Sequence, residues 1–306
     1  MVGGEASLVS AGTSRSASAV AIVLVVLFGA LCAGCATRAT NLDAGPRIVT
    51  MTAGLTETVF ALGLGDQVVG RDLSSTLEDA AGLPVVTSGH DVSAESVLSL
   101  RPTLVLVDED TRPTEALDQI AAAGVTVTVI PKAVTVTQIV PRLLAVADEL
   151  GVPDRGEAVA RRIETDLQSI AWPRAERPVV SFLYLRGAAS VYLLGGPGAG
   201  PDSLIVAAGG RDGGGEAGLT QAFTPLTPEA LVAAAPDIVL VTTTGLDSVG
   251  GLDGLLGLAG VAQTPAGRAR RVIAIEDGLL FSFGPRTPAL IASLHEEMLR
   301  VMGVSP

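Results

Sequence analysis

Two stretches of this chain carry one pattern without a gap, and that repeat constrains the fold more than any other feature. Ser93-Ala-Glu95-Ser-Val97-Leu98-Ser-Leu100-Arg-Pro102-Thr-Leu104-Val105-Leu106-Val107 aligns with Thr227-Pro-Glu229-Ala-Leu231-Val232-Ala-Ala-Ala-Pro236-Asp-Ile238-Val239-Leu240-Val241. Each copy reads as a hydroxyl N-cap, a glutamate in the first turn, a short helix, a proline stop and a wholly apolar strand. A continuously apolar strand must be covered on both faces, so each copy needs its own sheet and its own helices. The chain therefore divides into two similar α/β lobes.

The rest of the sequence agrees. In the first half, Arg47–Met51, Gln67–Val69, Leu83–Val86, Leu104–Val107 and Val125–Ile130 read as strands, with helices at Thr56–Leu62 and Thr114–Ala123. In the second, Val179–Leu185, Ile238–Val241 and Val272–Ile275 read as strands and Ser203–Ala208 as a short helix before Gly209-Gly210. Between them, Val159, Ile163, Leu167 and Ile170 share one face of a connecting helix spanning Pro153–Ile170, about 27 Å long. The expected division is an N-terminal lobe over 47–140, a connecting helical segment over 141–176 and a C-terminal lobe over 177–306. Ligands of such folds bind in the crevice at the carboxyl ends of the strands and between domains.

The N-terminus is of another kind. Ser16 to Thr37 carries no charge, Ala19 to Ala30 reads AVAIVLVVLFGA, and small residues follow up to Cys35. The pattern is that of an export signal over 1–35, followed by a tether over 36–46; an uncleaved signal anchor is the other reading. Both cysteines, Cys32 and Cys35, lie in this segment, so the exported body is free of thiols.

Composition narrows the function. A net charge of −12 offers no basic stripe for a phosphate backbone, which excludes nucleic acid as a partner. With only His90 and His295, no site of three imidazoles can form. No GxSxG elbow, HExxH helix or P-loop occurs, and Gly195–Gly200 lacks dinucleotide-binding spacing, so an exported α/β enzyme is disfavoured.

Three sets of residues can carry chemistry. His90, in Thr87-Ser-Gly-His90-Asp91, occupies a loop where its imidazole can meet a transition metal or merely bond to Asp91. Tyr184 and Arg186 stand two apart at the end of a strand and so share a face. An arginine beside a phenol favours the phenolate, a hard ligand suited to ferric iron. Glu95 and Glu229 occupy one slot in the two repeats; each either satisfies a helix dipole or pairs with basic residues of a two-fold partner. His295, beside Leu294 on the C-terminal helix, reads as structural.

These residues together resemble the substrate-binding lipoproteins of bacterial ABC importers, in the group that binds haem, siderophores and cobalamin. The two lobes, the connecting helix and the repeated unit carry the resemblance to the group, a class III periplasmic binding protein with two Rossmann-like lobes. Gly89-His90-Asp91, Phe182-Leu-Tyr184-Leu-Arg186-Gly187, Leu194-Gly-Gly-Pro-Gly198, Asp202-Ser-Leu-Ile205 and Phe283-Gly-Pro-Arg286-Thr-Pro288 resemble the haem branch. The resemblance implies that His90 and Tyr184 are the axial ligands of haem iron, one from each lobe, with Arg186 assisting the tyrosine. It implies that Glu95 and Glu229 dock on arginines of the membrane permease. It also implies that Cys35, in Ala33-Gly34-Cys35, is lipidated and anchors an extracytoplasmic protein to the cell membrane, although Cys32 stands where leucine is usual. Phe283 and Thr242 depart from the pattern at positions expected on the pocket wall. A ferric siderophore or cobalamin binder of the same fold is the alternative, and a catalytic role is not expected.

Overall fold

Both copies of the repeat fold as their residues dictate in the computed structural model, which describes residues 45–88, 91–169 and 177–304. Ser93 and Thr227 open the helices Ala94–Ser99 and Pro228–Ala234 by accepting the backbone N–H of Ser96 at 3.2 Å and of Ala230 at 3.1 Å. Each helix then stops against its proline. Arg101 and Ala235, the residues before Pro102 and Pro236, turn to φ 48° and 41°, since a following proline ring disfavours the right-handed helical conformation. The next residue locks a strand: Thr103 Oγ1 accepts the N–H of Arg47 at 2.9 Å, and Asp237 Oδ2 that of Val179 at 3.0 Å. Thr103 and Asp237 return the bond through their own N–H groups to the carbonyls of Arg47 and Val179.

Two sheets receive these units. The first is wholly parallel, in the order β2 (Val68–Arg71), β1 (Ile48–Thr50), β5 (Leu104–Asp108), β6 (Thr126–Ile130). A two-stranded ribbon, β3 (Thr87–Ser88) with β4 (Asp91–Val92), is stitched to its carboxyl edge. Val86 N–H donates to the Arg71 carbonyl, and Leu73 N–H donates to Thr87 Oγ1. The second sheet is mixed. Its order is β10 (Phe223–Pro225), β8 (Val191–Gly195), β7 (Val179–Arg186), β11 (Ile238–Thr242), β12 (Val272–Ile275), with β9 (Arg211–Asp212) pairing β7. Strands β7, β11 and β12 are parallel, and β8 runs against β7. Strands β5 and β11 are buried throughout, as their apolar runs require.

The lobes are joined by two helices, Ile139–Glu149 and Pro153–Gln168, where a single one was expected. Leu143 packs in the core of the second lobe and Val146 and Ala147 in that of the first, while Val159 touches both. Ile163 is buried as its spacing requires; Ile170 lies outside the described residues. The expected strand Leu83–Val86 forms only an isolated bridge between Arg71 and Val85, because Pro84 has no N–H to give a ladder.

Candidate functional site

Tyr184 and Arg186 lie at the carboxyl end of β7, both half-buried on the same face. The Arg186 guanidinium stacks over the Tyr184 ring, 4.4 Å from its centroid. One donor goes to the Leu185 carbonyl at 2.8 Å and another to Asp277 Oδ1 at 3.0 Å. Asp277, just beyond the end of β12, also accepts the Thr244 N–H on Oδ2 at 3.2 Å. Sequence reasoning missed Asp277, since nothing local ties it to a residue 91 positions away.

An aromatic cluster completes the surroundings. The Phe223 ring meets Tyr184 edge-on at 5.9 Å, and Phe182 meets Phe223 and Phe281 edge-on at 6.5 and 5.9 Å. The chain has only nine aromatic residues, one Trp, two Tyr and six Phe, so four of them in contact mark this end of the sheet as chemically distinct. Phe281 is 37% exposed and so presents a ring to solvent. Phe283 and Thr242, expected on the pocket wall, are buried instead: Phe283 packs in the second core, and the Thr242 hydroxyl caps the helix Thr243–Ser248 by accepting the Gly245 N–H at 3.0 Å.

Residues of the first lobe and of the connecting segment form a polar network with the second lobe that sequence reasoning also missed. Arg142 donates to Thr52 Oγ1 at 3.0 Å, lies 3.6 Å from Asp108, and reaches the Ser282 carbonyl across the lobes at 3.4 Å. Burial pulls the Arg142 guanidinium below the usual arginine range, opposed by the charges of Asp108 and Glu57. Glu57 in turn meets Arg286 at 2.7 Å, and Thr76 donates to Glu276 at 2.8 Å. At three further points main chain approaches across the lobes where no Cβ fits: Gly54 against the Ser282 carbonyl, Gly278 against the Ser74 carbonyl and Gly284 against the Glu57 side chain.

Glu95 and Glu229 are exposed in the first turns of their helices, one on each lobe, and neither enters an ion pair among the described residues. His295 is held by the Ala208 carbonyl, 2.8 Å from Nδ1. His90 and Cys35, with the export-signal segment and most of the tether, lie outside the described residues. Among the described residues no cluster of three or more His, Cys, Asp or Glu side chains could hold a metal ion, and no helix is long and apolar enough to cross a membrane.

Solved structures match this architecture over most of the chain. The periplasmic heme-binding protein RhuT from Roseiflexus sp. RS-1, in apo form, is 41% identical, covering 84% of this chain and 99% of its own, with a TM-score of 0.80. The periplasmic heme-binding protein BhuT, in complex with two hemes, is 36% identical over 84% of this chain and 99% of its own, with a TM-score of 0.76. The periplasmic heme-binding protein HutB of Vibrio cholerae is 25% identical over 82% of this chain and 98% of its own, with a TM-score of 0.74. Among curated proteins, the Bacillus subtilis ABC transporter substrate-binding lipoprotein YvrC is 28% identical over 126 residues, 40% of each chain. A vitamin B12-binding protein of Yersinia pestis is 34% identical over 84 residues, 27% of this chain and 30% of its own. The chain thus matches well under half the length of these curated relatives. Residues 48–278 match the family described as periplasmic binding protein, and with the class III fold and its two lobes in place, the chain belongs to that family.

Proposed function

We propose that this protein is an extracytoplasmic haem-binding lipoprotein that captures ferric haem between its lobes and delivers it to an ABC permease. The observation that carries the reading is Tyr184, half-buried at the carboxyl end of β7 among aromatic rings and under a guanidinium, in a chain 41% identical to a heme-binding protein of the same fold. Haem is flat and apolar on its faces and offers its iron for axial ligation, which a phenol set among aromatic rings can meet. Tyr184 is assigned as one axial ligand and His90 as the other, with Arg186 supporting the tyrosine. Glu95 and Glu229 dock on the permease, and Cys35 carries the lipid anchor. The division of the chain into lobes over 47–140 and 177–306 with a connecting segment between them belongs to the same reading.

A cobalamin or siderophore role in the same fold is the second reading, favoured only by the short match to the vitamin B12-binding protein. Titration of the purified body with haemin separates the two. The expected result is stoichiometric uptake with a ferric spectrum bearing a phenolate-to-iron charge-transfer band that Tyr184→Ala abolishes. Identical spectra for wild type and Tyr184→Ala, or binding of cyanocobalamin in preference to haemin, would overturn the haem reading.

A further inference from the structure

We infer that Asp277 is a positioning residue for the Tyr184 ligand and acts on it only through Arg186. The inference rests on the assignment of Tyr184 proposed above and adds a residue to it. Arginine has a long, flexible side chain, and a single contact would leave its guanidinium free to sweep. Here two corners are tied, one to the Leu185 carbonyl at 2.8 Å and one to Asp277 at 3.0 Å. The carboxylate is itself held, since its other oxygen takes the Thr244 N–H at 3.2 Å. Arg186 and Asp277 side chains are 33% and 25% exposed, so the pair is shielded more than a surface ion pair and has one defined geometry. The outcome is a guanidinium held over the Tyr184 ring, 4.4 Å from its centre.

This arrangement has a chemical purpose. A guanidinium free to turn an N–H onto the phenol oxygen would take a lone pair that iron also needs, and the oxygen would become a poorer donor. Asp277 prevents that by engaging one guanidinium donor itself while the Leu185 carbonyl takes another. Asp277 thus keeps the tyrosine's oxygen available to iron while the arginine still packs against the ring.

The test is a double-mutant cycle read by haem release to apomyoglobin and by the charge-transfer spectrum, both at one pH. Asp277→Ala is expected to release haem about fivefold faster and to move the band to shorter wavelength. Asp277→Asn, which keeps an oxygen for the arginine without its charge, is expected to fall between the two. In an Arg186→Ala background, Asp277→Ala is expected to change nothing further. In the ligand-free protein, the Arg186 guanidinium NMR signals should lose their restricted rotation in Asp277→Ala. Unchanged release and spectrum in Asp277→Ala, or the same change in both backgrounds, would overturn the inference while leaving the haem reading intact. A wild type that shows no phenolate band overturns the haem reading, and this inference with it.

Discussion

Arg286 of the second lobe stands 2.7 Å from Glu57 of the first, and the carboxylate it meets is only 1% exposed. The arginine is one-third exposed, so it brings a charge to a place that water does not reach. Removing it would strand a buried anion that Arg142 alone must balance. Arg286→Ala is therefore expected to destabilise the protein by about 2–4 kcal/mol, read as a lower denaturation midpoint in urea. Glu57→Gln in the same background should recover much of the loss. A single variant as stable as wild type would show that the pair contributes nothing across the lobes.

A second consequence concerns packing. A methyl group at Gly54 would overlap the Ser282 carbonyl oxygen and crowd Arg142 Nη1. Gly54→Ala is expected to cost about 3 kcal/mol and to weaken haem binding as well, because the clash can be relieved only by moving one lobe. Unaltered calorimetric stability together with unaltered haem affinity would contradict this.

The pH dependence of stability should carry the mark of Asp212. Burial raises its carboxyl above the usual aspartate range, opposed by the Gly215 N–H and reinforced by the nearby charge of Asp202. The folded chain then holds this proton more tightly than the unfolded chain. Its effect is to lower stability as pH rises from the ordinary aspartate pKa through the raised one. Asp212→Asn keeps an oxygen to cap Gly215, whose N–H it accepts at 2.7 Å, and removes the charge. The variant should be more stable than wild type near neutrality, with the difference closing in acid. A constant difference at all pH values would rule out this origin.

Docking is tested by charge reversal. Glu95 and Glu229 are exposed and enter no ion pair among the described residues, so Glu95→Lys with Glu229→Lys should leave folding and haem binding of the isolated protein unchanged. Haem uptake by cells carrying the double variant should be lost. Normal uptake would return both residues to a role at their own helix termini.

The proposed lipid anchor rests on one sulfur. Cys35→Ala should shift the protein from the membrane fraction to the medium or leave an unprocessed precursor. Normal processing with full membrane retention would exclude lipidation at that residue.

What could be read in the chain and what could not divides along sequence distance. The Ser93 and Thr227 caps, the glutamates behind them and the stops at Pro102 and Pro236 are local chemistry, and the structure reproduces both units down to the φ angles of Arg101 and Ala235. Strand alternation placed Tyr184 and Arg186 on one face. Glu57 with Arg286, Arg142 with Ser282, and Arg186 with Asp277 could not be read, because each pair is separated by 90 residues or more. Their meeting depends on how lobes pack, which no local pattern encodes. Phe223 and Phe281 escaped for the same reason: each is one aromatic in an unremarkable string until the sheet brings them beside Phe182. The Ile139–Glu149 helix accommodates Pro141 because that residue sits in the first turn, where its missing N–H costs nothing.

The glycine approaches at Gly54, Gly278 and Gly284 seat one lobe on the other. That seat is made of peptide groups and a buried carboxylate lying against one another. Lobes already seated in this way require less of a ligand's binding free energy to bring them together.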